Sequence, residues 1–417
     1  MRCHPQPPAF GALAMSSDVA TDYLDALKAK YTTAEDALKE KVKKNEEKIG
    51  WTNPDGEVYD KFNPSKLGDC QDLCKVKDIQ HSVKKMIPHG KKSSDGQAPN
   101  KIMALAWSKS ANDPRMAIID QMGACFVWDT EKTLRCGGFI YPFAQCLALA
   151  PKSCATPMVL VGGMRNASEL YIQEPGVAKM KAKKTWIAHD GYISSIHFMA
   201  EGAKYISSSG DGDIRLFDIE KSDKSESLVT LCGHSKDAQS IKFPRDDKSE
   251  NVFITCSSDK TVKMWDLRSA ECTHTFKTFS ELNACSMFPN GQMIACGGEK
   301  DKTFVFDVRA NRIVNLYRRN NQKTASCEFS KSGRELYVGH DDGSIIVWDI
   351  FASGKNKEYA HKIEAHTTFK DEKKTKPDET ASRVQVLDVG PDGFLASGGF
   401  DGKVKIWGAP DDAGAPP

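Results

Sequence analysis

Residues 227–268 read SLVTLCGHSKDAQSIKFPRDDKSENVFITCSSDKTVKMWDLR, and the organisation of the chain can be worked out from this stretch. It contains a Gly-His pair at Gly233-His234 and ends in Trp265-Asp266. Within it lie four apolar runs of about five residues, separated by polar turns, and such runs predict four antiparallel strands. One small sheet of this kind cannot bury both of its faces, so it must stack on copies of itself.

Copies of this unit recur along the chain, each ending in Trp-Asp or a close variant. The endings are Trp128-Asp129, Phe217-Asp218, Trp265-Asp266, Phe306-Asp307, Trp348-Asp349 and Trp407-Gly408, with a weaker copy at Ser168–Gln173. Their spacing is close to the roughly 40–45 residues of the WD40 repeat, which supplies four strands per propeller blade. The sequence therefore predicts an all-β fold, a seven-bladed WD40 β-propeller over residues 79–408.

Composition disfavours several classes of protein. The chain has 417 residues and a formal net charge of +2 without a dominant basic stripe, so nucleic acid is not the default partner. Its 13 cysteines are scattered, which indicates reduced, buried thiols and favours the cytosol. The one close pair, Cys70 and Cys74, lacks a second pair or a nearby His, so we expect no metal site and no cofactor. No apolar run approaches about 18 residues, so we expect no membrane span.

The N-terminal part of the chain predicts a helix that forms a coiled coil with a partner. Residues 1–17 read as a disordered leader, with Met15 as an alternative start, and residues 18–50 as the helix. Its apolar positions alternate in spacings of three and four, a heptad seam, at Leu24, Leu27, Tyr31, Ala34 and Leu38. The alternative is an amphipathic helix that lies on its own domain. Residues 51–78 read as a linker and residues 409–417 as a disordered tail.

A lone strand ahead of the first complete blade is expected to close the ring. The apolar run Ile79–Ile87 has no other strands of its own blade beside it in the sequence. Because each WD40 sequence repeat is offset by one strand from each blade, this run should supply the outer strand of the last blade, beside Gly402–Trp407. Closure of this kind leaves no unpaired inner edge.

Polar side chains recur in the regular repeats. The sets are His189, Asp211 and Ser207–Ser209; His234, Asp259 and Ser257; and His366, Asp401 and Ser397. These are the residue types of a hydrolytic triad, but a catalytic group occurs once, whereas a group that repeats with the fold belongs to the fold. We therefore interpret them as buried groups that bond to one another and expect no catalytic residue. The same structural role is predicted for Trp265, Asp342, Trp348 and Trp407.

Other repeats depart from this pattern. Met122 stands at the position of the Asp in repeat 1, and Lys300 stands there in repeat 5. Gly-Gly pairs at residues 162–163, 297–298 and 398–399 fall at the ends of second strands, where we expect tight turns.

Some phrases are more specific than the repeat itself. The chain reads FPNG at residues 288–291, FSKSGR at 329–334, and DD ahead of VWD between residues 341 and 349. With the order of helix, linker and seven repeats, these phrases resemble the β subunit of heterotrimeric G proteins. The resemblance covers about Ile79 to Trp407, is strongest from Asp266 onward and is weakest in the first two blades.

The resemblance implies a non-catalytic transducer that acts downstream of G-protein-coupled receptors. A β subunit of this family forms a permanent dimer with a small prenylated γ subunit, partly through its N-terminal helix. One propeller face binds the GDP-bound α subunit and, after α has left, effectors. The lipidated partner holds the assembly at the inner face of the plasma membrane, so the implied localisation is cytoplasmic and peripheral.

The resemblance also implies which residues form that face. Carried over by position, they are Lys101, Met103, Phe143, Met164, Tyr192, Asp237, Gln239, Asn283 and Phe400. Lys101 and Asp237 would be polar anchors, and the aromatic and Met side chains would form an adaptable apolar patch. Phe143 and Phe400 stand where the family has Trp, and Met103 stands where it has Tyr.

The alternative from another class is a general WD40 scaffold or adaptor that assembles a different complex. Scaffolds of that kind lack the heptad helix before the first blade. Two insertions, residues 90–100 and 367–382, are polar and Lys-rich and lengthen the connections in repeats 1 and 7. They are either neutral surface padding or loops that gate the rim of the binding face.

The heptad seam generates the first prediction. Leu24→Asp combined with Leu38→Asp should release a small γ-like helical partner while the propeller stays folded, because both changes put charge into the seam. Pull-down followed by mass spectrometry measures the release, with Ala26→Asp and Thr33→Asp, off the seam, as the matched control. If the partner is retained by the seam variant, the coiled-coil interpretation is wrong.

Overall fold

The computed structural model describes the backbone of residues 74–80 and most of residues 101–408. The gaps are 110–112, 114, 130–133, 140–142, 152–157, 174–179, 200–201, 221–225, 246–249, 320, 352–360, 367–382 and 392. The predicted leader, helix and tail, most of the predicted linker and both predicted insertions lie outside the described residues. Their interpretation therefore stays a prediction.

The described residues form seven four-stranded antiparallel sheets, which are the blades of the propeller. The strand β1 (Cys74–Gln80) comes first, and blade I follows with β2 (Ile102–Trp107), β3 (Arg115–Asp120), β4 (Ala124–Asp129) and β5 (Leu134–Phe139). Blade II holds β6 (Ala144–Leu149), β7 (Met158–Gly163), β8 (Ala167–Gln173) and β9 (Met180–Ile187). Blade III holds β10 (Ile193–Phe198), β11 (Lys204–Ser209), β12 (Ile214–Asp218) and β13 (Val229–Leu231).

The other four blades repeat the same order from the inner to the outer strand. Blade IV holds β14 (Ala238–Lys242), β15 (Val252–Ser257), β16 (Thr261–Asp266) and β17 (Glu271–Lys277). Blade V holds β18 (Leu282–Met287), β19 (Met293–Gly298), β20 (Lys302–Asp307) and β21 (Arg312–Arg318). Blade VI holds β22 (Thr324–Phe329), β23 (Glu335–His340), β24 (Ser344–Asp349) and β25 (His361–Glu364). Blade VII holds β26 (Val384–Val389), β27 (Leu395–Gly399), β28 (Lys403–Gly408) and β1.

The Asp of the Trp-Asp pair ends the third strand of several blades. Its carboxylate accepts a hydrogen bond from the backbone N–H two residues later, a turn that Asp favours. The acceptor is Asp266 for Arg268 N at 2.9 Å and Asp349 for Phe351 N at 2.9 Å. In the repeating Trp-Asp pair, the Asp therefore helps to end the strand, in addition to the packing of the Trp.

The Gly-Gly pairs fall at the ends of second strands, but tight turns do not explain them, because none of the six glycines has a positive φ. The first glycine of each pair leaves room for the next blade. A Cβ at Gly162 would lie 2.7 Å from Ile193 Cγ2, and one at Gly398 would lie 2.7 Å from Ile102 Cγ2. A Cβ at Gly163 would lie 2.5 Å from the carbonyl oxygen of Phe143. Lack of space, and not backbone conformation, requires glycine here.

Every inner strand carries a β-bulge at its second residue. The register shifts fall between Ile102 and Ala104 in blade I, and at the corresponding step in the other six blades. A bulge re-aims a side chain out of the regular alternation. The seven bulged residues all line the central channel: Met103, Gln145, Ser194, Gln239, Asn283, Ala325 and Gln385.

The hydrophobic core lies between blades. One cluster joins Ile254 and Met264 of blade IV to Leu282 and Met287 of blade V. Stacking therefore buries the faces that a single sheet leaves open, as the repeats predict. Burial at about 25 cal/mol per Å² of apolar surface makes these shared layers the main favourable contribution to folding.

The predicted ring closure is confirmed, but the closing strand lies earlier than expected. β1 pairs antiparallel with β28, from Cys74 opposite Gly408 to Gln80 opposite Lys403. The sequence interpretation placed this strand at Ile79–Ile87 because it relied on an apolar run. Only Ile79 and Gln80 of that range lie in β1, and residues 81–87 lie outside the described residues. An outermost strand needs backbone pairing more than apolar side chains, and three of the seven residues of CKVKDIQ are charged.

Closure generates the second prediction. A chain without residues 1–80 loses β1 and exposes the edge of β28, so we expect aggregation or a lower Tm. A chain without residues 1–66 retains β1 and is the matched control for loss of the N-terminal segment. Thermal melting with light scattering compares the two truncations, and equal melting curves would contradict the role of β1.

Candidate functional site

One end of the channel, here called the mouth, is formed by two loops from each blade. In six of the seven blades the residue before the inner strand accepts a backbone hydrogen bond from the turn between the second and third strands. Examples are Met164 N to Phe143 O at 3.3 Å, Gly210 N to Tyr192 O at 2.9 Å, and Ser258 N to Asp237 O at 3.1 Å. These bonds join the two sets of loops into a rim.

All nine residues of the face that the resemblance implies lie at the mouth. Four directly precede inner strands, namely Lys101, Phe143, Tyr192 and Asp237. Three are bulged residues of inner strands, namely Met103, Gln239 and Asn283. Two lie in turns between second and third strands, namely Met164 and Phe400. Positions spread over 300 residues of sequence are thus brought to one end of the channel.

Blades I and II present apolar side chains at this end. Phe143 is 59% exposed and Met164 57% exposed. Met122 and Ile187 are 52% and 71% exposed, and the sequence interpretation missed both. Met122 was noted only as a replaced Asp, and its position in a turn was the signal that could have identified it. Contiguous exposed apolar surface of this kind marks interaction sites.

Phe143 holds an unfavourable backbone conformation. Its φ is 67°, in the left-handed region that bulky side chains rarely adopt. Strained residues cluster at functional sites because the surrounding structure imposes the strain. Here the strain accompanies an aromatic ring that faces outward, so packing of that ring does not explain it.

Two cations lie close to the Phe400 ring. The Nζ atom of Lys101 is 4.4 Å from the centre of the Phe400 ring, and the Cζ atom of Arg383 is 5.9 Å from it. Both distances fall within the range of cation–π attraction. In the sequence, Lys101 and Arg383 directly follow the two predicted insertions, which themselves lie outside the described residues.

Tyr192, Asp237 and Gln239 form a hydrogen-bonded group. The Tyr192 hydroxyl donates to Asp237 Oδ2 at 2.8 Å, and Gln239 Nε2 donates to the same hydroxyl oxygen at 3.2 Å. Burial, followed by the Asp237 carboxylate, raises the pKa of Tyr192 to about 12, so the hydroxyl keeps its proton. The Tyr192 ring lies against Gly210, where a Cβ would collide with it. The predicted polar anchor Asp237 is therefore held in place by its neighbours.

Ion pairs dominate the part of the mouth formed by blades V to VII. Glu299 accepts hydrogen bonds from Asn283 at 3.0 Å and Lys323 at 2.5 Å. The bonds from Lys323 and Asn283 hold the pKa of Glu299 below its usual value. Arg383 Nε lies 3.4 Å from Asp341 Oδ1, while burial raises the pKa of Asp341. The mouth thus has an apolar side and a charged side.

The repeated His and Asp form a directed chain of hydrogen bonds in blade IV. Trp265 Nε1 donates to Thr255 Oγ1 at 2.8 Å. That oxygen lies 2.7 Å from His234 Nε2, and His234 Nδ1 lies 2.8 Å from Asp259 Oδ2. Each contact of the chain has one donor and one acceptor when His234 is neutral with its proton on Nδ1. Burial lowers the pKa of His234, which favours this neutral form.

One assignment in this chain needs correction. The sequence interpretation placed Ser257 beside His234, but the hydroxyl in contact with the imidazole is that of Thr255. Ser257 instead accepts a hydrogen bond from Asp259 N at 3.0 Å. The two residues are two positions apart on one strand and share a face, so alternation alone does not distinguish them.

The same chain occurs in two further places. His189 joins Ser207 at 2.9 Å to Asp211 at 3.0 Å, and His366 joins Ser397 at 2.9 Å to Asp401 at 2.8 Å. In blade VII, Trp407 Nε1 donates to Ser397 at 3.0 Å.

These distances are also those of a hydrolytic triad, but the hydroxyls cannot meet a substrate. Ser207, Thr255 and Ser397 are all 0% exposed, so no substrate carbonyl can approach them. Within the part of the chain that the structure describes, no cluster of three or more His, Cys, Asp or Glu side chains could hold a metal ion. The geometry supports a structural role for the three chains.

Blades I and VI use substitutes for the missing residues. In blade I, Asp120 Oδ1 accepts from Met122 N at 3.0 Å and Ala124 N at 2.8 Å, which supports the turn without the usual Asp. In blade VI, Arg319 donates to Asp342 at 2.6 Å, where other blades use His. The predicted structural residue Trp348 stacks on Tyr317, with 4.4 Å between ring centres.

Comparison with protein families agrees with this geometry. The model described as "WD domain, G-beta repeat" matches residues 180–218, 225–266, 317–349 and 375–408. These ranges correspond to repeats 3, 4, 6 and 7, while the structure forms four-stranded blades from the unmatched repeats as well. The chain is a WD-repeat β-propeller protein.

The curated relatives are more specific. The chain is 24% identical to a guanine nucleotide-binding protein subunit beta of Zea mays over 407 residues, covering 90% of this chain and 94% of that protein. It is 27% identical to subunit beta-5b of Danio rerio, with 74% and 73% covered, and 24% identical to a subunit beta of Saccharomyces cerevisiae, with 74% and 77% covered. The resemblance to G-protein β subunits is confirmed, and the low identity is that of a divergent relative.

The hydrogen-bond chain of blade IV generates the third prediction. Asp259→Ala leaves His234, Ser235 N and Thr261 N without their acceptor, so we expect a loss of about 1–3 kcal/mol in the free energy of unfolding. Lys300→Ala alters the corresponding turn of blade V, where the side chain is exposed, and should have little effect. Denaturant unfolding measures both variants, and equal midpoints would contradict the role of Asp259.

Proposed function

We propose that the protein is the β subunit of a heterotrimeric G protein. In this function it is not an enzyme; it forms a dimer with a γ subunit and binds the GDP-bound α subunit at the mouth. Effectors bind the same surface after α has left. The observation that carries the proposal is the arrangement of the mouth, where exposed Phe143 and Met164 adjoin the ordered group of Tyr192 and Asp237.

The chemistry of the mouth is suited to a protein partner. Exposed aromatic and Met side chains supply contact area that adapts to a partner, and the fixed polar groups supply orientation. Asp237 is already oriented by Tyr192, so binding need not order it at the cost of side-chain entropy. The cations beside Phe400 add positive charge at the edge of this surface.

The extent of the similarity supports the dimer with γ. The match to the maize protein covers 90% of the chain, more than residues 79–417 alone could supply. It therefore includes part of the segment that precedes the propeller, where the heptad seam lies. No described helix is long and apolar enough to cross a membrane. In the proposed assembly the protein is cytoplasmic and reaches the plasma membrane through the lipidated γ subunit.

A general WD40 scaffold is the second candidate function. The observation that favours it is the low match of blades I, II and V, since the repeat model covers none of their inner three strands. The two candidates differ in their partners. Affinity purification of the full-length protein from its own cells should recover a small helical subunit with a prenylated C-terminus and a GDP-binding α subunit, whereas a scaffold would recover neither.

The strained Phe143 generates the fourth prediction. Phe143→Asn should weaken binding of the GDP-bound α subunit by about tenfold, because an exposed aromatic contact is lost. The same change should leave the Tm unchanged or slightly raised, since Asn tolerates a φ of 67° better than Phe. Calorimetry of binding and of unfolding separates the two effects.

The matched control is Leu228→Asn. Leu228 is an exposed apolar residue, 46% accessible, just before the outer strand β13 and at the end of blade III away from the mouth. It should leave α binding unchanged. Equal affinity of Phe143→Asn and the unaltered protein would refute the assignment of the mouth as the α-binding surface.

A further inference from the structure

The end of the channel opposite the mouth, here called the far end, brings together a lysine, a histidine and a glutamate from three blades. Each inner strand begins at the mouth and ends at the far end. Lys109 lies two residues beyond β2, His197 is the last residue but one of β10, and Glu250 lies two residues before β15. All three residues line the channel. The sequence interpretation gave none of them a role.

The amine of Lys109 is in direct contact with the imidazole of His197. Its Nζ atom lies 2.6 Å from Nδ1 and 2.9 Å from Nε2 of that ring. Two cations this close would repel each other, and a protonated imidazole has no lone pair to accept an ammonium N–H. One of the two groups is therefore neutral, and a proton can pass from the amine to the ring.

Glu250 is placed to orient the ring. Its Oε1 atom lies 3.5 Å from His197 Nε2, so the carboxylate favours a proton on Nε2 and leaves the lone pair of Nδ1 toward Lys109. The ring is held by stacking on Phe243, with 4.2 Å between ring centres. Glu250 also has a φ of 46°, a strained conformation of the kind found at functional sites. A nucleophile, a base and a group that orients the base are the parts of an activated nucleophile.

The surroundings favour the uncharged amine. Burial among protein atoms lowers the pKa of Lys109 to about 8. Among the described residues, the carboxylates of Glu250, Asp388 and Glu328 act in the opposite direction. The ammonium of Lys242 acts in the same direction as burial. The Lys109 side chain nevertheless remains exposed to solvent at the far end, so a reagent can reach it.

The contact does not repeat with the blades. His197 is the fifth residue of its inner strand, and the fifth residues of the other inner strands are Ala106, Ala148, Lys242, Ser286, Glu328 and Asp388. The position of Lys109 is occupied in blade VI by Lys331, but the fifth residue two blades further on is there Ala106. The buried hydrogen-bond chains recur with the fold, whereas this group combines a single occurrence with an exposed nucleophile.

We propose that Lys109 is a nucleophilic lysine that accepts a short acyl group from an acyl thioester. The Nζ atom attacks the carbonyl carbon, the C–N bond forms and the C–S bond breaks. His197 takes the proton that the nitrogen loses and returns it to the leaving thiolate. The products are an amide on Lys109 and a free thiol. The inference is independent of the proposed function, because the site lies at the end of the channel opposite the mouth.

The environment of Lys109 favours this reaction over other reactions of an amine. Burial penalises charge, and the amide nitrogen that acyl transfer leaves is uncharged. Reaction with an aldehyde would give an imine that takes up a proton, and reaction with carbon dioxide would add an anion to a group that already contains Glu250. The channel encloses about 550 Å³, which leaves room for a short acyl chain.

A lysine that reaches from blade I to a ring of blade III also has a purely structural explanation, as a tie between blades. A structural contact occupies the amine and makes it react more slowly than an exposed lysine. An activated amine reacts faster. The rate of acylation therefore separates the two roles, and Lys331, exposed at the corresponding position of blade VI, is the internal reference.

The experiment treats the purified full-length protein with S-acetyl-N-acetylcysteamine, a small acyl thioester, and follows acetylation of each lysine by peptide mass spectrometry. At about pH 7.5, Lys109 should react at least about tenfold faster than Lys331, because burial and His197 favour its uncharged amine. At about pH 10, where ordinary lysines also lose their proton, the difference should shrink. If Lys109 reacts no faster than Lys331 at the lower pH, the inference is wrong.

Two variants test the roles of the neighbouring groups. His197→Phe retains a ring that can stack on Phe243 but removes the nitrogen that accepts the proton, so acetylation of Lys109 should slow by about tenfold. Glu250→Gln keeps the size of the side chain and should slow it less. Both variants should retain the Tm and the rate at Lys331. A folded His197→Phe protein that acetylates Lys109 at the original rate would overturn the inference. If that variant does not fold, an unchanged rate in Glu250→Gln would do so.

Discussion

The close approach of neighbouring blades is the constraint on which the rest of the structure depends. At Gly162 and Gly398 the backbone of one blade touches the first residue of the next blade's inner strand, with no room for a Cβ. Contact at this distance fixes the spacing and the level of the inner strands. Since interiors are close-packed, a larger residue at one of these points would displace the neighbouring blade. These contacts therefore help to set where each blade places its loops at the mouth.

The hydrogen-bond chains are a second, local support for this frame. Each connects the loop before an inner strand to the turn between the second and third strands, through a fully buried imidazole such as that of His234. Because the groups are buried, each must find its partner or carry the cost of desolvation. The chains thus hold the loops in the conformation that the mouth requires, and in blades III and IV burial lowers the pKa of the histidine, which favours its neutral form.

The sequence predicted the periodic features well and the local ones less well. Seven blades, ring closure and the pairing of His234 with Asp259 all follow from spacing, because strand length and blade packing impose the period. The bounds of β1 did not follow, since an outer strand is defined by backbone pairing and can have few apolar residues. The partner of His234 was misassigned because Thr255 and Ser257 share one face of β15.

Features that depend on exposure and backbone strain were also beyond the sequence. The face residues came from a resemblance, and Met103, Gln239 and Asn283 owe their position to a bulge in the inner strand that no sequence signal marks. The outward position of Ile187 and the positive φ of Phe143 depend on how loops from two blades meet. The resemblance therefore identified residues of the mouth, but the sequence did not show how far the apolar side of the mouth extends.

The departures from the repeat pattern gain a physical explanation from the asymmetry of the mouth. The second residue of each turn between second and third strands is Asp in four blades, and Met122, Arg165 or Lys300 in the others. In blade I the backbone bonds of the missing Asp go to Asp120, whose Oδ1 accepts from Met122 N and Ala124 N. Because Asp120 accepts these backbone hydrogen bonds, the second residue of the turn does not have to be a hydrogen-bond acceptor. In blade I the position can then hold the exposed Met122, and the blade can present an apolar surface without losing its fold.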